Sequence, residues 1–295
     1  MRDLSGYRAV FVHAHPDDEA ITTGGTIADL VRRGAEVLVV TCTLGEEGEV
    51  IGDALQLLVA DEADQLGGYR IGELAASLSA LGARGEFLGA AGRFRDSGMV
   101  GSPASRNPRA FVNNTDAATD LLVSVFERER PHVVITYGAD GGYGHPDHIQ
   151  AHRITHAAAS AVGVPRVLHT VRLAAQTTAL LPAVAPAGWR LPEPGELDGV
   201  TSADLSILLD DASYHTKASS MRAHATQLTV LDGDAEAPAV EAPAVHFYAL
   251  SNNIVQPLQR VEHYQLGAGA PPPAGSASAD GADDGDGAGR IFCGL

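Results

Sequence analysis

Glu36-Val37-Leu38-Val39-Val40-Thr41-Cys42-Thr43 is an unbroken apolar and β-branched run without polar alternation. A strand with one wet face alternates, whereas a strand covered on both faces need not, so this run reads as the buried centre of a parallel sheet. Upstream, Arg8 to Val12 is a shorter β-type run that breaks at His13. Between the two runs a helical pattern opens at Asp17-Asp18-Glu19, lasts to about Arg33 and stops at Gly34. Downstream, His132 to Tyr137 (HVVITY) is another buried strand, followed by a loop to His148 and a helix to about Ala161. Strands joined by helical crossovers predict an α/β fold: a mostly parallel sheet flanked by helices, Rossmann-like in layout.

Apolar positions from Leu55 to Leu66, and at Ile71, Leu74, Leu78 and Leu81, predict two helices on either side of Gly67-Gly68. Glu86 to Leu88 fits a short strand, and 90–114 lacks periodicity and reads as loop. Thr115 is a plausible cap for an amphipathic helix to Arg130, and Arg166 to Leu173 is one more strand. Residues 174–212 have no clear pattern; Tyr214 to Leu228 is helical and His246 to Leu250 strand-like. From Gly267 the composition collapses to Gly, Ala, Pro, Ser and Asp. We therefore expect one domain over 1–265 and a disordered tail over 266–295, with truncation after 266 leaving activity near normal.

With 20 Lys+Arg against 37 Asp+Glu, the formal net charge is −17. That balance argues against nucleic acid or an anionic membrane as partner, since such a binder needs a basic face to replace counterions. No apolar run suggests a secretory signal or a membrane span, so a cytoplasmic location is expected. Oligomeric state is not readable. Two cysteines cannot build a disulfide framework, and Cys42, in a buried run, reads as packing. Twelve histidines beside two cysteines mean that any transition metal must be held by imidazole and carboxylate.

The chemistry concentrates in His13-Ala14-His15-Pro16-Asp17-Asp18-Glu19 and Tyr143-Gly144-His145-Pro146-Asp147-His148. Each segment follows a buried strand and precedes a helix, where ligands bind in open α/β sheets. Two His and one Asp leave positions open for water and substrate, the pattern of a catalytic zinc site. His15 and Asp18, three apart, can reach one ion, which leaves Asp17 as a general base. Glu19 reads as a charge complementing the helix N-terminus. Taken alone, Asp-Asp-Glu at a helix start is capping and a His-Pro pair is loop. It is the occurrence of both His-Pro-Asp clusters after buried strands that favours metal catalysis. His132, His169, His246 and His263 read as structural or surface residues. His152 and His156, at i and i+4, imitate a metal pair but are also read as structural.

The chain resembles the zinc-dependent N-acetylglucosaminyl deacetylase superfamily, the LmbE-like or PIG-L-like proteins. The resemblance rests on AHPDDE at 14–19 and GHPDH at 144–148. Longer blocks resemble the deacetylases of mycothiol biosynthesis within it: VVTCTLGEEGEVIGD at 39–53, DQLGGYRIGEL at 64–74, GRFRDSGM at 92–99 and AHATQ at 223–227. It implies a hydrolase that removes acetate from N-acetylglucosaminyl-inositol, a small pseudo-disaccharide, with one Zn2+ per subunit or Fe2+ in its place. It implies His15, Asp18 and His148 as metal ligands and Asp17 as general base. His145 would stabilise the oxyanion with Asp147 orienting its ring, Tyr143 would assist from a mobile loop, and Arg70, Glu49 and Asp96 would contact sugar and inositol hydroxyls. The related mycothiol S-conjugate amidases, or deacetylases of another N-acetylglucosamine conjugate, are the alternatives. Loop 45–50 and Gly144 before His145, where the amidases tend to have proline, favour the deacetylases.

Overall fold

A computed structural model describes residues 2–231, 246–272 and 286–295. The strands are β1 Arg8–His13, β2 Glu36–Thr41, β3 Arg84–Phe87, β4 Val133–Tyr137, β5 Arg166–Val171, β6 Leu205–Leu208, β7 Leu228–Leu231, β8 Phe247–Leu250, β9 Gln256–Pro257 and β10 Val261–Gly269. The helices are α1 Asp18–Arg32, α2 Leu66–Leu81, α3 Thr115–Glu129, α4 Pro146–Val162, α5 Ala174–Ala179 and α6 Asp211–Ala223. A seven-stranded sheet has the order β3-β2-β1-β4-β5-β10-β6. Strands β3 to β5 run parallel, and β10 is antiparallel to both β5 and β6. Strands β7, β8 and β9 form a separate antiparallel sheet.

The opening run is continuous because both faces of β2 are covered. Val37 and Val39 enter one core with Ile27 and Leu30 of α1 and Tyr214 and Met221 of α6. Leu38 and Val40 enter the opposite core with Leu122 and Phe126 of α3 and Ile154 of α4. Successive side chains of a strand point to opposite faces, so one apolar run serves both layers.

Three expectations are corrected. Gly67-Gly68 does not separate two helices: α2 begins at Leu66 and runs through the pair, while 53–58 is a 3-10 turn with no buried residue. A Cβ on Gly67 would stand 2.7 Å from Glu46 Cγ and 2.9 Å from Leu44 Cβ, so the glycine is a packing contact with the 44–46 loop. Thr115 is the first residue of α3 rather than its cap, which is Asn114. Tyr214 to Leu228 is not one helix: α6 ends at Ala223, and Leu228 opens β7.

The boundary expected at 265/266 falls inside β10, whose pairing with β5 continues through Gly269. Residues 287–292 form a 3-10 turn in which Ala288, Ile291 and Phe292 are fully buried. Asp29 accepts the Ala288 N–H at 2.8 Å, and the buried Arg166 donates to Ile291 O at 2.5 Å and Cys293 O at 3.0 Å. Composition hid this because the three apolar anchors sit beyond the long Gly/Ala/Asp stretch. The rest of the expected tail, 273–285, lies outside the described residues.

Candidate metal centre and active site

β1 and β4 are neighbours, and the sheet grows outward in opposite directions from them. The loops leaving their carboxyl ends therefore part and open a crevice, the switch point where α/β sheets bind ligands. These two loops carry the two His/Asp segments. α1 starts at Asp18, and α4 starts at Pro146 with His145 as its N-cap, which places His148 in the first turn.

Asp18 Oδ2 lies 3.4 Å from His15 Nδ1 and 3.4 Å from His148 Nε2. Tetrahedral ligands at a zinc distance of about 2 Å stand roughly 3.3 Å apart, close to this spacing. His148 Nδ1 faces the Gly141 carbonyl at 3.0 Å. A carbonyl only accepts, so this ring is assigned its proton on Nδ1 and a lone pair on Nε2. That Nε2 is buried without a hydrogen-bond partner among the described residues. Gly141 has φ +70°, and a Cβ there would stand 2.8 Å from His148 Cβ, so both backbone and contact require glycine.

The other nitrogen of His15, Nε2, lies 3.4 Å from Asp147 Oδ2 and 3.7 Å from Asp96 Oδ1. A histidine that gives one nitrogen to a metal usually gives the other to a carboxylate. Burial opposes a proton on His15, but Asp96, Asp147 and Asp18 outweigh it and hold its pKa well above the ordinary value. Burial likewise resists charge on Asp18, and His148 and His15 prevail, pulling its pKa well below the usual carboxylate range. The cluster attracts positive charge, and its imidazole and carboxylate donors suit a borderline divalent ion.

The Asp147 carboxylate departs from its expected place. Its Oδ2 accepts the Ser97 N–H at 2.9 Å and turns toward His15, not His145. His145 is held instead by the Asp147 backbone, whose N–H donates to His145 Nδ1 at 3.1 Å. That bond puts the ring proton on Nε2. Burial, with His15 and His148 alongside, lowers His145 to about 3, so the ring is a neutral N–H donor.

Asp17 has φ 111°, a conformation L-residues rarely tolerate, and its N–H donates to Glu19 Oε2 at 3.0 Å. Such strain persists where the surroundings over-determine it, often at functional sites. Burial raises the Asp17 pKa to about 6 against the opposing charge of Arg70. Arg70 is 3% exposed, with Nη2 3.3 Å from Asp17 Oδ2. It also donates to Gly45 O at 2.8 Å and to Pro16 O.

Arg70 and Asp96, expected to meet hydroxyls, are thus buried within the cluster. Asp96 accepts the Gly98 N–H at 2.8 Å and the Glu47 N–H at 3.3 Å. Glu49 is exposed and lines a cleft with Val50, Gln56, Ser251 and Asn253 that contains none of the His/Asp residues. Tyr143 is 65% exposed and stands edge-on to His148, centroids 4.9 Å apart.

Sequence reasoning missed a buried relay behind Asp17. Glu19 is fully buried, and beyond its place in the first turn of α1 its Oε1 meets Ser77 Oγ at 2.5 Å and His224 Nε2 at 2.7 Å. His224 belongs to the AHATQ block, the signal that pointed to it. Tyr137 was also missed: its ring stacks on His148 at 4.0 Å, and its hydroxyl accepts the Ala14 N–H at 2.9 Å. Cys42 is buried, which raises its thiol pKa and suits packing.

A family profile described as GlcNAc-PI de-N-acetylase (PIG-L) matches residues 10–159. The 1D-myo-inositol 2-acetamido-2-deoxy-alpha-D-glucopyranoside deacetylase of Corynebacterium efficiens is 56% identical over 284 residues, covering 92% of this chain and 91% of that protein. The protein of the same name from Rhodococcus erythropolis is 52% identical over 288 residues, covering 92% and 94%. Among solved structures, a deacetylase of the teicoplanin biosynthesis pathway superposes with a TM-score of 0.51 at 23% identity, covering 74% of this chain and 84% of that one. That structural likeness supports the fold, while the profile and the relatives in sequence carry the assignment: the chain belongs to the PIG-L family of GlcNAc-PI de-N-acetylases.

Proposed function

We propose that this protein is a zinc-dependent deacetylase that hydrolyses the acetamido group of 1D-myo-inositol 2-acetamido-2-deoxy-α-D-glucopyranoside. The products are acetate and the free glucosaminyl amine, a step of mycothiol biosynthesis in the cytoplasm. The observation that carries the reading is the convergence of Asp18 Oδ2 on His15 Nδ1 and His148 Nε2, with Asp17 alongside. The names of the relatives supply the substrate.

His15, Asp18 and His148 would hold the ion, with Fe2+ compatible with the same donors. Bound there, it supplies a Lewis acid that polarises the amide carbonyl and makes water more acidic. Asp17 takes the proton of the attacking water on its carboxylate, and its pKa of about 6 places it near neutrality for both steps. It then returns that proton to the departing amine nitrogen. His145 donates its Nε2–H to the oxygen on which negative charge develops, a contribution of about 3 kcal/mol for a well-placed donor. Tyr143 adds its hydroxyl from the exposed loop. Asp147 and Asp96 orient His15, and Arg70 holds Asp17. Glu49 remains the candidate for a direct hydroxyl contact.

The test is to incubate the purified protein with the N-acetylglucosaminyl-inositol substrate and measure free amine, before and after chelation and after Zn2+ is restored. Amine release should vanish with chelation and return with the metal. Release insensitive to chelation would overturn the metal-hydrolase reading. A mycothiol S-conjugate run in parallel should be cleaved far more slowly; faster cleavage would assign the protein as the amidase.

A further inference from the structure

Among the described residues, the strongest metal-binding chemistry outside this centre lies on the far part of α4. His152 and His156, one turn apart, are joined by His169 of β5, and one donor nitrogen from each ring lies within 4.8 Å of the others. The ring centroids are 4.4 Å apart for His152 and His156, and 5.0 Å from each to His169. His152 Nδ1 lies 3.0 Å from the Tyr137 carbonyl. That acceptor places the proton on Nδ1 and leaves the Nε2 lone pair free, the arrangement that orients a ligating imidazole. His156 Nε2 and His169 Nε2 stand 2.7 Å apart, a hydrogen bond in which one ring donates to the lone pair of the other; binding an ion shifts that proton to the donor ring's Nδ1 and leaves both Nε2 atoms facing one point.

The backbone makes room for this cluster. Gly267 lies against the His169 ring, where a Cβ would stand 2.3 Å from Nε2, and β10 shifts register between Leu266 and Ala268. Among the described residues, no carboxylate forms an ion pair with any of the three rings. Burial, with His152 and His156 beside it, lowers His169 to about 4, and burial with His152 also lowers His156. His156 and His169 are therefore neutral near pH 7, as metal ligation requires. All three are half-buried, so an ion has a path in.

We propose that His152, His156 and His169 form a second metal site, separate from the catalytic cluster, that takes a borderline divalent ion of the Zn2+ class with open positions for water. Three imidazoles without thiolate favour Zn2+, Ni2+ or Cu2+ over Mg2+ or Ca2+. An ion there ties α4 to β5. It also fixes His152 against Tyr137, whose ring stacks on His148, so the second site braces a helix that carries a catalytic ligand.

Chelated full-length protein titrated with Zn2+ by calorimetry should bind two equivalents. His156→Ala combined with His169→Ala should bind one, and His15→Ala combined with His148→Ala should also bind one. A second readout does not depend on variants folding. Diethyl pyrocarbonate labelling of the unaltered protein, read by peptide mass spectrometry, should show the second equivalent of Zn2+ protecting His152, His156 and His169. One equivalent in the unaltered protein, or three rings labelled equally with one and two equivalents, would overturn the proposal.

Discussion

Phe292→Ala tests whether the last ten residues are part of the core. The ring is fully buried, stacks on Tyr7 with centroids 4.6 Å apart and 25° between planes, and meets His132 edge-on at 6.4 Å. Truncating a buried Phe costs about 3–5 kcal/mol, because both transfer energy and a cavity are involved. Deleting residues 286–295 should cost more. Ile291 and Phe292 each lose about 2–3 kcal/mol of burial. Arg166, itself fully buried, loses two of its four carbonyl acceptors, those of Ile291 and Cys293, and keeps Ala270 and Pro271. A buried cation losing such bonds costs roughly another 2–3 kcal/mol. Together these losses reach about 6–9 kcal/mol, a large share of a typical total stability of about 5–15 kcal/mol. Urea unfolding followed by far-ultraviolet circular dichroism should show Phe292→Ala with a lower midpoint and the deletion with a lower one still. If both variants unfold with the midpoint of the unaltered protein, the docking of this segment is wrong and the disordered-tail expectation is restored.

Three further outcomes are expected. Asp17→Asn should keep metal stoichiometry but lower kcat by about 10²–10⁴-fold, the usual share of a general base; full activity would mean that the base lies elsewhere. Arg70→Met should lower both thermal stability and kcat, since it unpairs the Pro16 and Gly45 carbonyls and the Asp17 carboxylate at a cost of about 3–5 kcal/mol. A variant changed only in KM would instead make Arg70 a substrate contact. Burial lowers His263 from 6.5 to about 4, against the opposing charge of Glu262, and its Nδ1 lies 2.8 Å from Ser206 Oγ. A depressed histidine means that the unfolded chain binds the extra proton, so stability is present above pH 6.5 and falls as pH drops toward 4. The slope is at most about 1.4 kcal/mol per pH unit. His263→Gln should remove this share of the slope in urea unfolding at pH 7 and pH 5, and identical slopes in both proteins would refute it.

Much of the site was legible because its residues are local. His15 to Glu19 and Tyr143 to His148 are short segments at strand ends, and alternating strand and helix places such ends along one sheet edge. What stayed illegible was partner choice across the chain. Asp147 was expected to serve His145, two residues away, but its carboxylate reaches His15, which is distant in sequence and adjacent only because β1 lies beside β4. Arg70 stood out by its motif, but its burial against the Pro16 and Gly45 carbonyls was not legible, since it depends on how α2 packs on two distant loops. Strand β10 went unrecognised because Glu262, His263 and Gln265 look like surface residues. In the fold Glu262 instead accepts the Gly25 and Thr26 N–H groups at 2.9 and 2.8 Å and pairs with Lys217 at 2.6 Å.

By itself, the sequence determined the α/β class, the strands that carry the two His/Asp segments, and the residue types that make a divalent ion the natural ligand. Periodicity and local motif encode these, since they depend on neighbours within a turn or two of chain. Only the tertiary structure decided which carboxylate backs which imidazole, that His169 joins His152 and His156, and that Ile291 and Phe292 close the core. Each of these depends on contacts between residues far apart in the chain, and such contacts leave no period in the sequence to read.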